Sequence, residues 1–328
     1  MIKLKNILFE EDETDKDNPN KILVINKKSG EEYYINKNNF DSAIHNKAGD
    51  NKSDGEKEEP TLKKQKEVED KIDKALTPVD FIKGKEKEDI VDTMKEIRPD
   101  LREKVLKYNF TDWFRDYDGV MMGISSKDPE VSKQSVRAIT RIAKKVQAVA
   151  LAKHTLLNTF DLSDETLESA KYYHSNSPSV NDFLRKKFTL DKEDRKQLSE
   201  VINKLDKYFQ SDDSRLENDA VVYRGVKNNM LDFFLKNKKW KEEGFTSTSL
   251  NPLIAENFTE GGTFKPHMRN PLFKINLKKG DPVLMLPCSE DDFCVETEIT
   301  LPRGCKFSIQ SFDQKTNVYT LNVEFPNA

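Results

Sequence analysis

The period of the apolar residues changes at Asp219, and that change constrains the fold more than any other feature of the chain. Before it, residues 79–210 carry a helical pattern. Asp128-Pro129 reads as an N-cap followed by proline at the first helical position. Ile139, Ile142, Val146, Val149, Leu156 and Leu157 then recur at helical spacing and predict a stripe facing a core. Leu198, Ile202, Leu205 and Phe209 do the same over about 191–209, and Trp113, Phe114 and Tyr117 supply bulk earlier on. After Asp219 the runs are short and strand-like. They are Ala220-Val221-Val222-Tyr223, the alternating Phe273–Leu277, the wholly apolar Val283–Leu286, Glu298–Leu301, Lys306–Ile309 and Val318–Val323. Helices first and strands afterwards predict an α+β fold with an antiparallel-rich sheet or sandwich.

The N-terminal end follows neither pattern throughout. Lys21–Ile25 and Glu32–Ile35 can pair around Lys28-Ser29-Gly30, a small appendage within residues 1–45. Two strands alone are marginal in water. From Asn46 to about Asp70 nearly every residue is Lys, Glu, Asp, Asn or Gly, too little apolar surface to offset the entropy of ordering. Residues 46–76 are therefore expected to be a charged linker, with a charged helix over 62–76. The main domain is then 77–328, with a helical part at 77–210 and a β-rich core at 219–328.

Charged residues make up 34% of the 328-residue chain, yet the net charge is only −3. Without a global basic footprint, neither nucleic acid nor an anionic membrane is expected as a partner. No apolar run approaches the roughly 20 residues of a membrane span. Met1–Phe9 is too short and interrupted for a signal peptide. Three cysteines, Cys288, Cys294 and Cys305, give an odd count without zinc-type spacing, so reduced thiols in a cytoplasm and no metal are expected. The four histidines, His45, His154, His174 and His267, are scattered and suggest neither a triad nor a ligand set.

Three short motifs carry chemistry: Val222-Tyr223-Arg224-Gly225, Gly244-Phe245-Thr246-Ser247-Thr248-Ser249 and Val295-Glu296-Thr297-Glu298-Ile299. Arg224 ends a strand, where its guanidinium can fork onto phosphate oxygens or make a surface ion pair. Gly225 lets a ligand approach the backbone. Strand alternation puts Ser247 and Ser249 on one face and Thr248 on the other, and a hydroxyl at 247 can orient a carboxylate. Glu296 and Glu298, at i and i+2 on an extended segment, would face the same way. A solvated acidic face is the plain reading of such a pair, but the flanking residues are apolar. Crowding there would push one pKa upward, which suits general-base work. A fixed anion can also stabilise the positive charge that develops on a sugar as its glycosidic bond breaks.

In this order and in these strand contexts, the motifs resemble those of the arginine-specific mono-ADP-ribosyltransferases, including actin-modifying bacterial toxins and enzymes of T-even-like phages. The resemblance covers roughly residues 79–328, with specific motifs only after 220. It implies a split, NAD-binding β-sandwich core with helices packed around it, and NAD as substrate without a metal. It assigns Arg224 to the pyrophosphate, the backbone at Gly225 to the nicotinamide amide, and Ser247 to holding the catalytic Glu298. Thr248 and Ser249 support the cleft. It further implies that Glu298 bonds a ribose hydroxyl and that Glu296 serves the incoming arginine. Phe293, three residues before Glu296, would contact the target arginine or else sit in the core. Phe258 would place a ring against nicotinamide. The toxin-type arginine that follows it is here Gly261, with Lys265 or Arg269 as substitutes. Tyr172-Tyr173 and Val180–Arg185 resemble the helix preceding the first motif, where Asn181 and Arg185 would approach the adenosine side.

The function so implied is transfer of ADP-ribose from NAD to arginine on a target protein, such as host transcription or translation machinery. The alternatives are an NAD glycohydrolase, with water as acceptor, and a virion structural or binding module on the same fold. Leu8-Phe9-Glu10 looks like the sites trimmed during phage head maturation, although chance also explains three letters. If it is such a site, it implies packaging in a virion before action in a bacterial cytoplasm.

Overall fold

The computed structural model describes residues 21–26, 32–36, 45–47, 61–76, 81–82, 85, 87–110, 117, 120–121, 123–158, 160–187, 191–226, 228–257, 271–287, 296–313 and 316–326. The chain divides into two compact units, Met1–Glu59 and Pro60–Ala328.

In the first unit β1 (Lys21–Asn26) pairs antiparallel with β2 (Glu32–Asn36), with Leu23 opposite Tyr34, the pairing that the two apolar runs allow. A third strand, β3 (His45–Lys47), pairs on the other edge of β1. Its sequence, His-Asn-Lys, carries no strand signal, so only the pairing reveals it.

The second unit opens with α1 (Leu62–Leu76), followed by α2 (Lys87–Lys95) and α3 (Pro99–Lys107). α1 corrects the expected boundary. It is charged overall, but Ile72 is fully buried and Glu69 pairs with Arg141 at 3.0 Å. One apolar face is enough to dock a helix whose other faces are solvated, so the charged stretch over 62–76 belongs to the folded unit rather than to a linker. A chain beginning at residue 60 should therefore keep the thermal transition of the main unit. One beginning at residue 77 should melt at least about 4 °C lower, since an isoleucine of this burial contributes about 2 kcal/mol. Equal Tm values for the two truncations would place α1 outside the folded unit.

α4 (Pro129–Leu157) starts where predicted, with the Asp128 carboxylate accepting from the amides of Glu130 and Val131. Ile142, Val146, Val149, Leu156 and Leu157 are buried along it, and Ile139 packs at the edge of the same core. α5 (Asp164–Leu184) is capped by Ser163 and α6 (Lys192–Phe209) by Asp191. α6 buries Leu198, Ile202, Leu205 and Phe209, as its spacing predicts. α5 is kinked at Asn176, whose φ and ψ are −128° and 20°. Pro178 has no N–H to offer the His174 carbonyl one turn back, so the ladder breaks there. The Asn176 side chain donates through Nδ2 to the Tyr172 carbonyl at 2.9 Å.

Beyond Asp219 lie β4 (Ala220–Gly225), α7 (Asn228–Asn237), β5 (Lys239–Lys241), β6 (Thr246–Ser249), α8 (Pro252–Asn257), β7 (Leu272–Leu277), β8 (Glu298–Leu301), β9 (Lys306–Asp313) and β10 (Val318–Glu324). They form a seven-stranded sheet in the order β5-β9-β10-β7-β4-β6-β8, mostly antiparallel, with β10 and β7 parallel. The fold is α+β, as the change of period predicts. Val283–Leu286, read as a strand from its apolar run, is buried at 283–285 but forms only the single bridge Leu284↔Thr300. Such a run suits a buried loop as well as a central strand.

The sheet is nearly divided. β4 pairs with β7 over six residues and β6 with β8 over four, but β4 meets β6 only at Tyr223↔Ser249. The strands splay at that point, and the three motifs surround the opening. Among the described residues no helix is long and apolar enough to cross a membrane.

Candidate active site

Pairing alone brings the three motifs together. Ser249 lies opposite Glu298 and Ser247 opposite Thr300, while Tyr223 lies opposite Ser249, so Arg224 reaches the same cleft from β4. The Arg224 Nη1 donates to the Ser247 carbonyl at 2.9 Å, bridging the division of the sheet. Burial pulls this guanidinium below its usual pKa, and Glu242, Tyr173 and Glu298 oppose that pull. The cleft, of about 330 Å³, is lined by Arg224, Gly225, Ser247, Glu296 and Glu298 among others.

Ser247 is held from behind. Its Oγ is hydrogen-bonded to the Tyr173 hydroxyl at 3.0 Å, and Asn181 Nδ2 donates to that same hydroxyl at 3.2 Å. Burial, with Glu298 nearby, pushes the Tyr173 phenol up to about 12. It therefore stays neutral and can donate. Its ring packs edge-on against Phe245 at 5.2 Å, and Phe245 stacks on Phe209. Gly244 is required here, because a Cβ would lie 2.5 Å from Asn181 Oδ1. The second motif thus needs its glycine to admit the helix that supports its serine.

Glu296 and Glu298 do meet, but not as an extended i, i+2 pair. Glu296 sits in a helical turn, and Glu298 begins β8. Thr297 between them has φ +43°, a left-handed conformation that is costly for a β-branched residue. Thr297 is fully buried, and its carbonyl accepts from the Leu250 amide at 3.1 Å. Ser249 Oγ donates to the Glu296 carbonyl at 2.6 Å and lies 3.2 Å from Thr297 Oγ1. The serine pattern of β6 therefore fixes a kink, and the kink converges the carboxylates. Thr248 Oγ1 donates to the Ile299 carbonyl, which ties β6 to β8.

Glu298 Oε1 accepts from Thr300 Oγ1 at 3.0 Å. Burial raises the Glu298 pKa. His174, Ser247 and Thr300 hold it down, and Glu296 adds a smaller upward push. One carboxyl is raised, as crowding predicts, but desolvation is the larger cause.

His174 was invisible among the scattered histidines. Its Nε2 lies 3.2 Å from Oε2 of Glu296 and 3.2 Å from Oε2 of Glu298. The signal available was adjacency, since it directly follows Tyr172-Tyr173 on the helix that resembled the one preceding the first motif. Asn181 and Arg185 line the cleft too, but Arg185 Nε donates to Glu242 Oε1 at 3.0 Å, and that oxygen also accepts from the Gly244 amide. Both are engaged with the protein. Phe258 and Phe293 lie outside the described residues, as do Gly261, Lys265 and Arg269.

Residues 152–324, more than half of the chain, match the family model of the ADP-ribosyltransferase exoenzyme. No curated protein gives a significant sequence match. Solved structures similar to this one include the Clostridium limosum C3 exoenzyme, at 15% identity and a TM-score of 0.35, covering 50% of this chain and 87% of that one. Exoenzyme S from Pseudomonas aeruginosa, in complex with human 14-3-3 protein beta and bound to carba-NAD, is 18% identical with a TM-score of 0.37, covering 49% and 74%. The enzymatic component C2-I of the Clostridium botulinum C2 toxin is 17% identical with a TM-score of 0.37, covering 50% and 43%. The motifs around the divided sheet fall within the matched residues, and the chain belongs to the ADP-ribosyltransferase exoenzyme family, whose members take ADP-ribose from NAD.

Proposed function

We propose that the protein transfers ADP-ribose from NAD to an arginine side chain of a target protein. The observation that carries this reading is the convergence of Glu296 and Glu298, each 3.2 Å from one imidazole nitrogen, at a cleft that also holds Arg224 and Ser247. One carboxylate can serve bond cleavage, and the second is then available for an acceptor.

In this reading Arg224 takes the pyrophosphate with its fork of donors. Glu298, oriented by Ser247 and Thr300, faces the ribose hydroxyl. The C1′–N bond breaks, its electron pair leaves with neutral nicotinamide, and the positive charge on the sugar is stabilised by the Glu298 anion. A guanidine nitrogen of the acceptor bonds to C1′, and the proton it loses passes to Glu296. The side chain of Glu296 is 37% exposed against 15% for Glu298, which suits an acceptor arriving from solvent.

The test is incubation with adenine-labelled NAD and an arginine-bearing acceptor protein, followed by mapping of the modified residue. The expected result is one ADP-ribose per modified site, on arginine. Modification of cysteine or asparagine would remove the arginine assignment. Nicotinamide release that no acceptor captures would favour water as acceptor.

A further inference from the structure

His174 has no part in the reaction described above, yet no other described cation lies within 4.0 Å of either glutamate. Glu298 is in a poorly solvated position with a second carboxylate beside it. Such a group takes up a proton unless a cation faces it. The nearby guanidinium groups are committed elsewhere, Arg224 to the Ser247 carbonyl and Arg185 to Glu242. The kink at Asn176 and Pro178 places His174 on the turn of α5 that borders the cleft.

We propose that His174 is a positioning residue for the glutamate pair: its imidazolium sits between Glu296 and Glu298, holds both as anions aimed at one point, and yields that point to the cationic acceptor side chain. This rests on the reading of Glu298 as the ribose-side anion and Glu296 as the acceptor-side base. A guanidinium carries the same charge, so the exchange keeps the carboxylates neutralised throughout.

The two glutamates decide the charge of the imidazole. Burial alone would lower its pKa, but the close contact with Glu296 and the charges of both glutamates outweigh it, and His174 is raised. Reciprocally, His174 is the strongest influence opposing the rise that burial causes at Glu298. From α4, His154 shares a small cavity with His174 and Glu298. Burial pushes it down to about 4, so it is neutral and supplies no charge. Tyr173, the neighbour on α5, is neutral as well. Arg224 from β4 and Arg185, which caps the end of α5, face the same cleft but are bonded to the Ser247 carbonyl and to Glu242.

The experiment is the pH profile of nicotinamide release without acceptor, for wild type, His174→Asn and His174→Gln. With the imidazolium gone, Glu298 holds its proton to higher pH, so the acid limb should move upward. A displacement of one pH unit lowers release about tenfold on that limb, and the deficit should narrow as the pH rises and Glu298 becomes ionised in either protein. Both amide variants should behave alike. A uniform loss at every pH, with the midpoint of the limb unchanged, would overturn the proposal. A second measurement is the proton NMR titration of the His174 ring, whose midpoint should fall in Glu296→Gln. An unmoved midpoint also overturns it. Because the release assay contains no acceptor, its outcome does not depend on the arginine assignment. If Glu298→Gln run in parallel is inactive while His174→Asn keeps the wild-type limb, only this inference fails. If Glu298→Gln cleaves NAD normally, the reading beneath it fails.

Discussion

Replacing Glu298 by glutamine is expected to abolish NAD cleavage and protein labelling together, by on the order of 10²–10³ in rate, while the protein stays folded. Glutamine keeps the size of the side chain and an oxygen that can accept from Thr300 Oγ1, which lies 3.0 Å away in the parent. What it removes is the charge. The transition state gathers positive charge on the ribose, and a neutral amide offers a dipole where an anion stood in a desolvated site. The fold should not suffer, because the lost anion is one that burial disfavours. Nicotinamide release and thermal melting, measured on one preparation, check both halves. Near wild-type turnover by a folded Glu298→Gln protein would rule out the mechanism.

The part of the site that could be read from sequence is the part set by strand pairing. Arg224, Ser247 and Glu298 stand at ends and centres of short strands, and the register Ser249↔Glu298 converts their order along the chain into proximity. The same holds for the helical stripes of α4 and α6, whose period survives packing. What could not be read depends on backbone departures that no period encodes. Thr297 enters the left-handed region although it is neither glycine nor asparagine, because Ser249 and Leu250 bond the turn from β6. The glutamates therefore converge through a kinked turn and not through the alternation of an extended strand. His174 reaches them from a helix more than a hundred residues earlier, aimed by a kink at Asn176 and Pro178. Composition places α1 in a linker because it averages over the whole helix, whereas docking uses one face, here that of Ile72.

Replacing Glu296 by glutamine should separate the two halves of the reaction. In the proposed reaction, cleavage of the nicotinamide–ribose bond needs the anion at Glu298, which keeps its bond to Thr300 in this variant. Release of nicotinamide to water should therefore persist within a few-fold of wild type. Transfer has a further requirement. The arginine proposed as acceptor has a guanidinium of solution pKa above about 12, which must lose a proton as it forms the new bond. With an amide at position 296 that proton has no base at the point of attack, and labelling should fall by roughly 10²–10⁴. The two carboxylates differ in ways that fit the proposed division of roles. They share a contact at His174, but Glu296 is more exposed, and it hangs on a turn fixed through its backbone carbonyl by Ser249 rather than through its carboxylate. Its side chain can thus be neutralised without moving Glu298. The paired measurement is nicotinamide release without acceptor and label incorporation into an arginine-bearing protein. If both activities fall together in a folded protein, the glutamates act as one unit, and the electrostatic coupling through His174 would be stronger than the division of labour between them.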